Sequence, residues 1–212
     1  MRCSIVCLGL AFILTMGSVA QATTFRFDTD PFAGSTALTT PGRQVVGGET
    51  FINFSIGTDV FSFDPAVFGV GNTVQFANDL AANLPTSGVN VIVLRTFDDD
   101  NNGGTVFGAG NAANLIASRI TTPGAGFFIY FNSALDLARL VYSTDLNDNT
   151  ADLKILARMT NLTGQAGRDA LASFTAANFE ITTTDVAAVP EPATLSMMGV
   201  GLALAYRRSR RA

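Results

Sequence analysis

The 212-residue chain has no histidine and no tryptophan, and its two cysteines, Cys3 and Cys7, both fall within the first seven positions. Without imidazole there is no Ser-His-Asp triad, no Cys-His pair and no His-built zinc centre. Once the first segment is removed the remainder has no thiol, so disulfides and thiolate metal sites are excluded too. Charge is scarce: 14% of residues are Asp, Glu, Lys or Arg, against about 25% in ordinary globular proteins. With 48% hydrophobic residues, that composition argues against a disordered chain.

The few charges are unevenly placed. Arg2, Arg207, Arg208, Arg210 and Arg211 lie in the two apolar ends, leaving 8 basic and 16 acidic residues between them. A body this acidic lacks the basic face that phosphate binding needs, so nucleic acid is not an expected partner.

The N-terminal stretch MRCSIVCLGLAFILTMGSVAQA combines one positive charge at Arg2, an apolar run from Ile5 to Leu14 and a small-residue end, Ala20-Gln21-Ala22. That is the n-region, h-region and A-x-A order of a secretory signal, predicting removal of residues 1–22 by signal peptidase and export of the rest of the chain.

The C-terminal stretch VPEPATLSMMGVGLALAYRRSRRA has its own logic. Pro190 and Pro192 flank Glu191, and each proline fixes φ and disfavours helix in the residue before it, so a carboxylate is presented on extended backbone. No residue from Ala193 to Tyr206 is charged. As a helix these residues span about 21 Å, short of the ~30 Å hydrocarbon core, so the run is a weak membrane anchor on its own. The arginines beyond it hold the C-terminus in the cytoplasm by the positive-inside rule, which puts the body outside and agrees with the N-terminal signal.

These residues, Val189-Pro190-Glu191-Pro192, the apolar run and the cluster Arg207, Arg208, Arg210 and Arg211, resemble the PEP-CTERM protein-sorting signal of Gram-negative bacteria. The resemblance implies recognition by an exosortase, transient anchoring by a transmembrane segment, processing near the Pro-Glu-Pro, and delivery to the cell surface or to the exopolysaccharide of a biofilm matrix.

The expected organisation is therefore a signal peptide at 1–22, a globular domain at 23–181, a linker at 182–188 and the sorting signal at 189–212. The body reads as α+β: one β-rich domain with a few short helices. Segments 24–28, 50–56, 60–64, 90–97, 126–132 and 137–143 are rich in aromatic and β-branched residues, as strands are. Alternation in TFRFD and VFSFD predicts half-buried strands, and GFFIYF, apolar on both faces, a central one. Helical spacing marks 73–84, 111–120 and 168–179, while periodicity leaves ADLKILARMTNL open between helix and strand.

Three constellations bear on chemistry. In DDDNNGGT, Asp98, Asp100, Asn102 and Gly103 match the first half of the D-x-[DN]-x-[DN]-G calcium loop, but Ala109 stands where the closing bidentate glutamate belongs. Asx-rich sequences also form turns without metal, and DLNDNTAD, residues 145–152, is a looser echo with Thr150 in the glycine position. GAGNAA, residues 108–113, matches G-x-G-x-x-A yet lacks a strong strand just before it, so a glycine turn is expected. Glu49 and Glu180 are the body's only glutamates, with 14 aspartates as candidate partners for a glycosidase pair.

The expectation is an exported, non-catalytic surface or matrix protein with no catalytic residues and no obligate cofactor. Calcium is the candidate ligand at Asp98, Asp100 and Asn102, and exosortase, signal peptidase and exopolysaccharide are the partners. The alternatives are a secreted carbohydrate-active hydrolase using Asp/Glu pairs and a calcium-stabilised binding module.

Overall fold

The structure, a computed structural model, describes residues 21–182. Ten strands form two sheets. The larger runs β2 (Val45–Val46), β9 (Leu153–Thr163), β8 (Leu137–Ser143), β7 (Gly126–Asn132), β6 (Val91–Leu94) and β5 (Phe76–Asp79), with β3 (Thr50–Ile52) also paired to β9. Within it only β8 runs against its neighbours. The smaller sheet is fully parallel, with β4 (Val60–Phe63) between β1 (Thr24–Phe27) and β10 (Phe179–Ile181).

Strand β7 explains the layering. All seven of its residues are buried, which requires cover on both faces of the large sheet. Phe127, Ile129 and Phe131 point into one core with Phe61, Phe63 and Phe174. Phe128 and Tyr130 point into a second core with Ile92, Leu94 and Ile116. The first core is closed by the small sheet, whose Phe63 ring stacks on Phe127 at 3.7 Å while Phe54 stacks on Phe61 at 4.1 Å. Helix α2 (Ala109–Ala117) covers the second core and makes β6-α2-β7 a βαβ unit. Each buried phenylalanine contributes about 1.5–3 kcal/mol by leaving water, and most of the chain's 17 phenylalanines go to the interior.

The expected α+β architecture is what forms, with local differences. Strand β1 alternates in exposure, as TFRFD predicts, but β4 is buried almost throughout because it is the middle strand of its sheet. Its Ser62 is 1% exposed and its hydroxyl is 3.1 Å from that of Thr182. The helix expected over 73–84 is instead β5 followed by a 3-10 turn at Ala81–Asn83. Parallel pairing of Phe76–Asp79 with Val91–Leu94 supplies backbone bonds that outweigh a local helical pattern. The helix expected over 168–179 is split: α3 (Gly164–Ala170) stops early, and two 3-10 turns come before β10. Phe174 leaves the helical path to stack on Phe54 at 5.5 Å. The undecided segment ADLKILARMTNL is mostly strand, supplying nearly all of β9.

The two ends of the large sheet differ. Strands β5, β6 and β7 start beside the short helix α1 (Pro65–Phe68), and β4 and β10 run toward that same end, since Phe63 stacks on Phe127 near the start of β7. The last described residue, Thr182, therefore lies toward the amino ends of β5–β7, with its N–H donating to the Phe63 carbonyl at 3.0 Å.

Candidate functional site

At the amino ends of β5, β6 and β7 lies a cleft of about 230 Å³. Its walls are the turn after α1, residues 69–71, and the lead-ins to the three strands, including Thr73, Gln75, Ser87, Asn90 and Thr122. No ionisable side chain lines it. Asn90, 8% exposed, is consumed in building it: its Oδ1 accepts from the Gln75 N–H at 2.8 Å and its Nδ2 donates to the Thr73 carbonyl at 2.9 Å. Those bonds hold the entries of β5 and β6 together. The side chains of Thr73, Gln75, Ser87 and Thr122 make no hydrogen bond among the described residues. A neutral wall of free hydroxyl and amide groups suits a polyhydroxylated ligand and has no ionisable side chain to act as a general acid or base.

The sequence-predicted calcium loop lies at the opposite end of the sheet, between β6 and α2. It brings carboxylate oxygens of Asp98, Asp99 and Asp100 within 4.8 Å of one another. Part of their acceptor capacity is used inside the loop. Asp98 accepts from the N–H groups of Asp100 and Asn101 at 3.1 and 3.0 Å. Asp100 accepts from the Asn102 N–H and the Thr105 hydroxyl, both at 2.9 Å, bonds that hold its carboxyl below the usual aspartate range. The Asn102 Oδ1 accepts from the Gly104 N–H at 3.1 Å. Asp99 accepts from the Asn111 side chain at 2.9 Å, and Asn111 also accepts from the Gly108 N–H at 3.1 Å. GAGNAA is thus the start of α2, with Gly108 as its N-cap.

The looser echo at 145–152 has a structural use. Asp152, 9% exposed, accepts from the N–H groups of Leu38 and Gln44 at 2.7 and 2.6 Å and ties the long segment after β1 to the sheet. Asp145 accepts from the Gly124 and Asn147 N–H groups at 3.0 and 2.9 Å.

Glu49 and Glu180 do not come together as a catalytic pair: Glu49 leads into β3 of the large sheet and Glu180 is in β10 of the small one. Glu49 is instead clamped between Arg139 and Arg158, each at 2.5 Å. Those arginines face each other directly across β8 and β9, and like charges so placed repel unless an anion lies between them. Burial pushes the Glu49 carboxyl up, but bonds from its own N–H and from Arg158 and Arg139 prevail and hold it at about 2. Nothing in the sequence gives the strand register that makes this triad; two arginines in adjacent apolar strands are the only hint.

Ala22, at the expected signal cleavage point, is described and exposed, and Ala20 lies outside the described residues. So do Val189, Pro190, Glu191, Pro192, Arg207, Arg208, Arg210 and Arg211. Among the described residues no helix is long and apolar enough to cross a membrane; the run from 193 to 206 is not among them.

No curated protein and no solved structure matches the chain. One family model does: the PEP-CTERM protein-sorting motif matches residues 188–211, which contain every one of these sorting residues. The tail is therefore the sorting signal of an exported protein that is held transiently at the membrane and processed by an exosortase.

Proposed function

We propose that the protein, after removal of residues 1–22 by signal peptidase and exosortase processing at the Pro-Glu-Pro, is a non-catalytic cell-surface or matrix protein that associates with exopolysaccharide. The observation that carries this reading is the neutral cleft at the amino ends of β5–β7, where Thr73, Gln75, Ser87 and Thr122 leave their polar groups free. It lies at the end of the large sheet toward which β10, the last described strand, runs. Hydroxyl-rich polymers are bound through such uncharged donors and acceptors, and a surface-delivered protein meets them in abundance. The cleft contains no carboxylate to act as the acid or base of glycoside hydrolysis. This favours binding over the hydrolase reading.

The test is retention of the exported full chain on exopolysaccharide isolated from the producing cells. Retention is expected without release of reducing ends, and Gln75→Ala with Ser87→Ala should weaken it about tenfold while leaving the melting midpoint within ~2 °C. Release of reducing ends that is abolished by Asp→Asn substitution would establish the hydrolase instead.

A further inference from the structure

Asp59 is a buried carboxylate, 4% exposed, at the turn that leads into β4. Its Oδ2 accepts from the Ser55 N–H at 2.8 Å, and its Oδ1 accepts from the Thr58 hydroxyl at 3.2 Å and from the Thr23 N–H at 3.0 Å. Every ion pair among the described residues goes to another acid: Arg26 to Asp28, Arg95 to Asp79, and Arg139 and Arg158 to Glu49. Asp59 thus has three neutral donors and no cation, which is a costly state for a desolvated carboxylate.

One of those donors is the first backbone nitrogen after Ala22, where the small-residue motif places the signal cleavage. We propose that Asp59 is a receptor for the α-ammonium created at Thr23 by that cleavage, so that removal of the signal peptide supplies the missing counter-charge and completes the fold. The inference rests on the export reading and on the cut falling after Ala22. Water adds across the Ala22–Thr23 peptide bond, the C–N bond breaks, Ala22 leaves as a carboxylate and Thr23 becomes an ammonium, with one neutral amide donor replaced by three charged ones.

The surroundings fit. Gln21, Ala22 and Thr23 are exposed, so cutting there removes no packed residue among the described ones and leaves the new ammonium partly hydrated while its partner stays buried. Thr23 is already held in place, because the Val60 N–H donates to its carbonyl at 3.0 Å. The same turn also holds the other end of the body: Asn178, 4% exposed, donates to the carbonyls of Asp59 at 3.0 Å and Ile56 at 2.5 Å just before β10 begins. An ion pair at Asp59 therefore tightens both outer strands of the small sheet. A precursor without it is less stable, a useful property for a chain that crosses a membrane before it folds.

The experiment uses the full chain exported through its own signal from a host without exosortase and purified in mild detergent with the tail attached. N-terminal sequencing establishes the cut. Periodate then converts an N-terminal threonine, and no internal one, to an aldehyde that lacks the amine. Loss of the ammonium is expected to lower the melting midpoint by roughly 5 °C or more, and a chain retaining Gln21-Ala22 should melt like the oxidised one. In Asp59→Asn the midpoint should not respond to periodate; if that variant does not fold, the comparison with the extended chain decides. A chain that starts at Thr23 and melts unchanged after oxidation overturns the pairing alone. A chain that starts elsewhere overturns the cleavage point and the pairing with it.

Discussion

Two acidic sites in this molecule are built differently and differ in consequence. Asp98, Asp99 and Asp100 are consecutive and sit on a loop, where Asp98 and Asp100 accept from groups of that loop and Asp99 from the nearby Asn111. Glu49 is solitary in sequence, yet it reaches two arginines 90 and 109 residues away and is 7% exposed at its side chain. The difference teaches that acids clustered in sequence report a turn, whereas an acid that stabilises this fold is found by the strands that bring its partners together.

The sharpest way to break that comparison is Glu49→Gln. It keeps the shape and leaves Arg139 and Arg158 facing each other across β8 and β9 without an anion. Breaking a mostly buried ion pair costs about 3 kcal/mol, which lowers the midpoint by roughly 6–12 °C in a domain of this size. Thermal unfolding of the purified chain measures it; a drop under ~2 °C would put Glu49 in the same class as the loop acids.

The same carboxylate sets a pH dependence. Its folded value of about 2 lies below the ordinary 4.5, so the folded state holds the ionised form more tightly than the unfolded state does. Its contribution is complete above about pH 4.5 and is lost as the pH falls toward 2, amounting to about 3 kcal/mol by linkage. Denaturant titrations between about pH 6 and about pH 2.5 should show this slope in the parent chain, and Glu49→Gln should flatten it.

Asp152 belongs to a loop that echoes a calcium motif, but behaves as Glu49 does, since it bonds backbone more than a hundred residues away. Asp152→Ala leaves the N–H groups of Leu38 and Gln44 without their acceptor and should cost about 2 kcal/mol. Hydrogen exchange should report the loss over residues 38–44 first.

How far the sequence discloses this molecule obeys the same division. Strands β1, β4, β6, β7 and β8 are legible because a short apolar or alternating run carries its own signal, and α2 because Ala112, Ala113 and Ile116 recur at helical spacing on its buried side. Strand β5 is misread because Phe76–Asp79 owes its conformation to β6 rather than to its own pattern. At the sites, Asp98 and Asp100 are legible as a turn-forming cluster, and the sorting tail as a linear motif that needs no fold to be recognised. The cleft, the Glu49 triad and the Asp59 receptor are not legible, because each is assembled from segments whose separation along the chain says nothing about their register in space.

The smallest effect is expected at the calcium-like loop itself. Its shape is set by bonds already made: Asp98 and Asp100 accept from Asp100, Asn101 and Asn102 N–H groups, Asn102 accepts from Gly104, and Ala109 supplies no closing carboxylate. The loop is therefore expected to keep its shape without a cation, and Asp100→Asn retains an acceptor for the Asn102 N–H and the Thr105 hydroxyl. Excess chelator, and that substitution, are each expected to move the midpoint by less than about 1 °C, the size of an ordinary surface change. A calcium-dependent rise of several degrees that Asp100→Asn removes would show that three adjacent carboxylates overcome their internal bonds to hold an ion, and local clustering would then report a binding site here as well as a turn.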